Sequence, residues 1–194
     1  MKRSYVIIGA IVGFLGILLI IFITYISIYN KAVSLQEKVD EKWANVQSAY
    51  QRRADLVPQL VETVKGAAKN EKEILTKVTE ARAGITGIND QILNAKNPEQ
   101  LEVLGKKINT AINLAYEAYP QIRSTENFST LQAQLEGTEN RIKRERDVYN
   151  ESVKDYNTNI RGFFASIFLN SETFPKKTGF KAQAGAENAP KVQF

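Results

Sequence analysis

The chain has 194 residues, 43% hydrophobic and 24% charged, with a formal net charge of +5; such a composition can bury a core, which excludes disorder of the whole chain. Cysteine and histidine are both absent, which excludes disulfides, thiolate nucleophiles and metal sites built on either residue, and removes the side chain most used for proton transfer near neutral pH. Lys and Arg alternate with Asp and Glu along helical stretches instead of forming a basic stripe interleaved with aromatics, so no nucleic-acid partner is expected.

From Val6 to Ile28 the sequence VIIGAIVGFLGILLIIFITYISI carries no charge over 23 residues, long enough to cross a hydrocarbon core of ~30 Å as a helix. Lys2, Arg3 and Tyr5 precede it and Tyr25, Tyr29 and Asn30 close it, placing aromatic and polar residues at both headgroup levels. A cleaved signal peptide is the rival reading, but the run exceeds the usual apolar region of ~7–15 residues, and TYISIYN offers no small-residue cleavage site. Residues 1–29 are therefore expected to be a single-pass anchor in a cell membrane, with the lipid bilayer as partner through residues 6–28. Gly9 and Gly13 have the spacing that lets two such helices approach closely. Lys2 and Arg3 on one flank balance Lys31, Lys38 and Lys42 on the other, which leaves open the side on which the rest of the chain lies.

Residues 30–163 read as a helical bundle. Ala32, Leu35, Val39, Trp43, Val46 and Tyr50 recur at three- and four-residue steps, the stripe of an amphipathic helix. Asp55 as a cap and Pro58 in a first turn predict a break or kink near residues 53–57. A second helix then follows Val57, Leu60, Val61, Val64, Ala68, Leu75, Val78 and Ile85. The pattern weakens between Gly84 and Asn97, after which Asn97-Pro98 supplies an N-cap and an N1 proline for a third helix along Leu101, Leu104, Ile108, Ile112, Ala115 and Tyr119, ended by Pro120. A fourth, from about Thr125, carries Phe128, Leu131, Leu135, Thr138, Ile142, Tyr149, Val153, Tyr156 and Ile160. The expected fold is all-α: a single N-terminal transmembrane helix followed by an antiparallel up-and-down four-helix bundle.

In such a bundle the fourth helix returns towards the membrane and delivers Phe163, Phe164, Ile167, Phe168 and Leu169 there. Capping the open end of the core is the commoner fate of such residues and is the expectation. The alternative is membrane contact, with rings at the acyl boundary and Lys176, Lys177 and Lys181 on anionic headgroups. Residues 164–194 form a C-terminal segment, expected to be loose beyond Gly179.

Glu71 with Glu73, and Glu136 with Glu139, lack the histidine partners that metal-binding bundles use, and read as charged helix faces. Arg52, Arg53 and Asp55 near the expected break, Arg82, Glu139 and Arg141 form a candidate structural polar cluster, in which Arg141 reaches across to Asp55 or Glu139; binding of an anionic ligand is the alternative reading of the same residues. No catalytic residue, metal site or cofactor is expected, because phosphate loops and nucleophile elbows are missing.

Taken in order, the lone N-terminal anchor, Tyr29-Asn30, Trp43-Ala44-Asn45-Val46 and the run from Arg52 to Val64 (RRADLVPQLVETV) resemble the LemA family of bacterial membrane proteins. Glu71, Val78 to Ala83, Tyr119-Pro120, Phe128, Leu131-Gln132, Leu135, Thr138 to Ile142, Tyr149-Asn150, Tyr156-Asn157 and the closing Ala189 to Phe194 agree with the same pattern. One departure is Phe163-Phe164, where the family usually shows Phe-Pro. The resemblance implies a four-helix bundle behind one membrane helix, usually drawn in the cytoplasm, with no established catalytic activity. Relatives associated with membrane compartments such as magnetosomes suggest a scaffold, with a protein partner or self-association.

Overall fold

A computed structural model describes residues 2–68, 72–118 and 126–181. Among these the regular structure is all α-helical: α1 (Lys2–Ala68), α2 (Lys72–Ala83), α3 (Ile88–Leu93), α4 (Pro98–Ala118), α5 (Glu126–Ile160) and α6 (Phe163–Phe168). Glu71, Tyr119, Pro120 and the closing Ala189 to Phe194 fall outside the described residues, as do the side chains of Ala68, Glu73, Leu75 and Val78. The chain divides into two compact units, one holding the chain up to Glu41 with Glu151–Lys177, the other Lys42–Asn150 with the residues from Thr178.

The break expected at residues 53–57 does not occur: α1 runs on through Pro58 to Ala68. An interior proline costs roughly 3 kcal/mol. Leu56, Val57, Leu60, Val61 and Val64, however, are all buried to 1% exposure or less, and burying each such side chain contributes roughly 1.5–3 kcal/mol. The unbroken apolar stripe therefore outweighs the proline, and Asp55, left mid-helix, accepts a hydrogen bond from Asn89 Nδ2 at 2.8 Å instead of capping.

In the second unit, α2 and α3 pack on α4. Gly87 takes the left-handed conformation (φ 69°) that lets the chain turn into α3. The buried Gln47 of α1 ties off the other end of α3, its Nε2 donating to the carbonyls of Ile92 (2.8 Å), Leu93 (3.0 Å) and Ala95 (3.4 Å). Asn97 caps α4 as expected: its Oδ1 accepts from Gln100 N at 2.9 Å, while Gln100 Oε1 accepts from Lys96 N at 2.7 Å. The predicted stripes of α4 and α5 are buried, Leu101 and Ile108 on one and Phe128, Leu135 and Ile142 on the other. Contacts Glu102 to Arg146 and Tyr116 to Phe128 make α4 and α5 antiparallel.

Phe180, placed by composition in a loose tail, is buried. Asn150 on α5 binds its backbone from both sides, Phe180 N donating to Oδ1 at 2.7 Å and Nδ2 donating to the Phe180 carbonyl at 3.1 Å. Tyr149 Oη donates to the Thr178 carbonyl at 3.0 Å. A Cβ on Gly179 would fall 2.7 Å from Asn150 Oδ1, so this approach needs glycine. The same device recurs in the first unit, where Asn157 donates to and accepts from the Lys177 backbone at 2.9 and 3.0 Å and Tyr156 Oη donates to the Pro175 carbonyl at 3.0 Å.

The expectation that Phe163, Phe164 and Ile167 cap the core is overturned: they are 75%, 60% and 61% exposed. At 100° per residue these three share one face of α6, and Ala165 with Phe168 the other. Only the second face packs, with Ala165 buried and the Phe168 ring edge-on to Tyr25 at 6.0 Å.

Candidate functional site

Two features stand out, one in each unit. In the first, the apolar stretch of α1 is long enough to cross a membrane, and none of its most apolar window is buried in protein. Tyr25 and Tyr29 lie at the end of that stretch. Phe168 packs against Tyr25 and Phe174 against Tyr29, the latter pair edge-on at 5.4 Å. The exposed face of α6 thus sits beside the end of the apolar stretch. Lys176 is exposed, whereas Lys177 Nζ pairs with Asp40 at 2.8 Å.

In the second unit a polar cleft of about 480 Å³ opens between α1, α4 and α5. Its floor is Tyr50 of α1, pressed on α4 where Gly105 has no side chain; a Cβ there would lie 2.7 Å from Tyr50 Cε1. Arg53, its side chain 12% exposed, forms one wall. Its Nε donates to Asn109 Oδ1 (3.0 Å) and its Nη1 to the Leu135 carbonyl (2.8 Å) and Thr138 Oγ1 (3.3 Å), and Nη1 pairs with Glu139 at 3.0 Å. Arg146 forms the other, paired through Nη2 with Glu102 at 2.7 Å and lying over the Phe180 ring, 4.5 Å from its centroid. Lys106 and Lys181 stand at the rim. Burial pushes the Tyr50 hydroxyl above its ordinary pKa; the Arg146 charge opposes this, and those of Glu102 and Glu139 add to it.

Of the cluster expected from sequence, the fold joins only Arg53 and Glu139. Arg52 is exposed, Asp55 bonds Asn89, and Arg82 meets Glu62 at 3.7 Å. Among the described residues Arg141 reaches no carboxylate across the helices, and it pairs with Glu145 along α5 at 4.0 Å. Glu136 accepts from Gln132 at 3.1 Å. Sequence reasoning passed over Tyr50, Glu102 and Arg146, which belong to charged or apolar stripes until α4 and α5 are set in register. The signal that was there is Gly105, isolated within a helical pattern, where a glycine costs helix stability and leaves room for a close approach.

The model of the LemA family matches residues 42–194, a stretch that includes every residue of the cleft. Among curated proteins the chain is similar to Protein LemA of Metamycoplasma hominis, 21% identical over 147 residues. That alignment takes in 76% of this chain and 66% of the relative, so the chain spans a little under two thirds of that protein's length. With the family pattern running through the greater part of its length, the chain belongs to the LemA family.

Proposed function

We propose that the protein is a non-enzymatic scaffold anchored in a bacterial cell membrane, whose second unit offers a helical surface to a protein partner or to another copy of the chain. The observation that carries this reading is the course of α1. One helix of 67 residues begins with an apolar stretch that finds no cover in protein and ends by supplying Val57, Leu60 and Val64 to a packed core. An uncovered apolar helix of that length satisfies its own backbone and is suited to lipid. Chemical crosslinking of the full chain in native membranes, through its exposed lysines, tests the scaffold role. A discrete adduct, with a partner or with a second copy, is the expected result; monomer alone at every crosslinker length would refute it.

A second reading, direct lipid contact, is favoured by the exposed Phe163, Phe164 and Ile167 beside Tyr25. In nanodiscs, a Phe163→Trp, Trp43→Phe chain should lose fluorescence to lipids brominated near the headgroup end of the acyl chain. Fluorescence indifferent to bromine at any depth would place α6 in water.

A further inference from the structure

The cleft around Tyr50 has more positive charge than its own carboxylates neutralise. Arg53, Lys106, Arg146 and Lys181 line it, against Glu102 and Glu139. The two arginines are fixed: Arg53 by acceptors on α4 and α5, Arg146 by Glu102, the Lys181 carbonyl (3.4 Å) and the Phe180 ring. Fixed guanidinium groups lose little freedom on binding. Arg53 commits Nε and Nη1 to protein acceptors, and Nη2 meets none among the described residues. Neither the Lys106 nor the Lys181 ammonium pairs with a carboxylate among the described residues, and both side chains are exposed at the rim. Of the two carboxylates, Glu139 is 57% exposed and is free to swing aside when a better-placed anion enters. A concave site walled by protein focuses such an excess of one sign.

We propose that this cleft is a binding site for a phosphate-type oxyanion, held between the free edge of Arg53 and the ammonium groups of Lys106 and Lys181, with the Tyr50 side chain as its floor and Arg146 as the opposite wall. A cavity of about 480 Å³ accommodates a phosphate monoester and lies within the usual range of small-ligand sites, roughly 300–1,000 Å³. The phosphate group belongs either to a soluble monoester or to a lipid headgroup.

The test uses the full chain in nanodiscs of zwitterionic lipid, with thermal unfolding followed as glycerol 3-phosphate or inorganic phosphate is added against chloride at equal ionic strength. A second arm uses discs containing phosphatidic acid. Binding to the folded state raises the midpoint saturably. The Lys106→Gln, Lys181→Gln double variant changes only exposed side chains, so its midpoint without added anion should equal that of the parent. Its apparent Kd should be about tenfold higher. A variant-sensitive shift with soluble phosphate identifies a soluble ligand, and one seen only with phosphatidic acid identifies a headgroup; either supports the site. No saturable shift beyond chloride in either arm, or an equal shift in the double variant, overturns it.

Discussion

Arg53 is largely buried, its guanidinium held by groups from α4 and α5. Replacing it with alanine removes the donor to Asn109 Oδ1, the ion pair with Glu139 and one of the two side-chain donors to the Leu135 carbonyl, and opens a void, so Arg53→Ala should cost about 2–3 kcal/mol in denaturant unfolding. At Gly105 the obstacle is steric. A methyl group there meets the buried Tyr50 ring at 2.7 Å, and Gly105→Ala should destabilise by roughly 1–3 kcal/mol, seen as a lower melting temperature. Tyr50 and Tyr156 both have pKa values raised from 10.0, in each case chiefly by burial, with the Asp40 charge adding to it at Tyr156. The folded state holds these protons more tightly than the unfolded chain does. Their contribution is therefore full below about pH 10 and is lost as pH rises through the unfolded value towards the folded one. Unfolding midpoints should fall above pH 10, and less steeply in Tyr50→Phe. At this scale the sequence disclosed residue types but few partnerships. Arg53 and Glu139 were both singled out, yet Arg141 lies two positions beyond Glu139 and on a different face of α5, a difference of about 200° that only helix packing makes decisive.

Helix ends obey local chemistry and so were the most legible elements. Asn97 caps α4 through Gln100, and Asn97→Ala should cost about 1 kcal/mol by the same unfolding measurement. The opposite case is Pro58, where a correct local rule lost to a tertiary one: five nearly fully buried side chains keep α1 helical through the proline. Pro58→Ala should then remove a penalty and raise stability by about 1–3 kcal/mol. The stripes of α4 and α5 could be traced residue by residue because helical periodicity survives in any single sequence. Neither the docking of Phe180 nor the exposure of Phe163 shows in periodicity. Phe180 is held by the Asn150 side-chain amide and the close approach at Gly179, and Phe163 lies in a six-residue helix too short to show a repeating pattern. The two Tyr-Asn pairs, Tyr149-Asn150 and Tyr156-Asn157, lie seven residues apart, two turns of α5, and each binds backbone of the following extended segment.

For the molecule as a whole, both proposed roles begin from the same physical fact, an apolar stretch of α1 whose most apolar window is unburied among the described residues. Family membership extends over residues 42–194 and so covers the cleft but leaves out that stretch. Membrane residence must therefore be measured in its own right. The decisive experiment is an alkaline carbonate wash of cell membranes, comparing the full chain with one lacking residues 6–28. The account predicts that the full chain stays in the washed pellet while the shortened chain is released. Release of the full chain by carbonate would contradict it, and would remove the footing of both the scaffold and the lipid-contact readings.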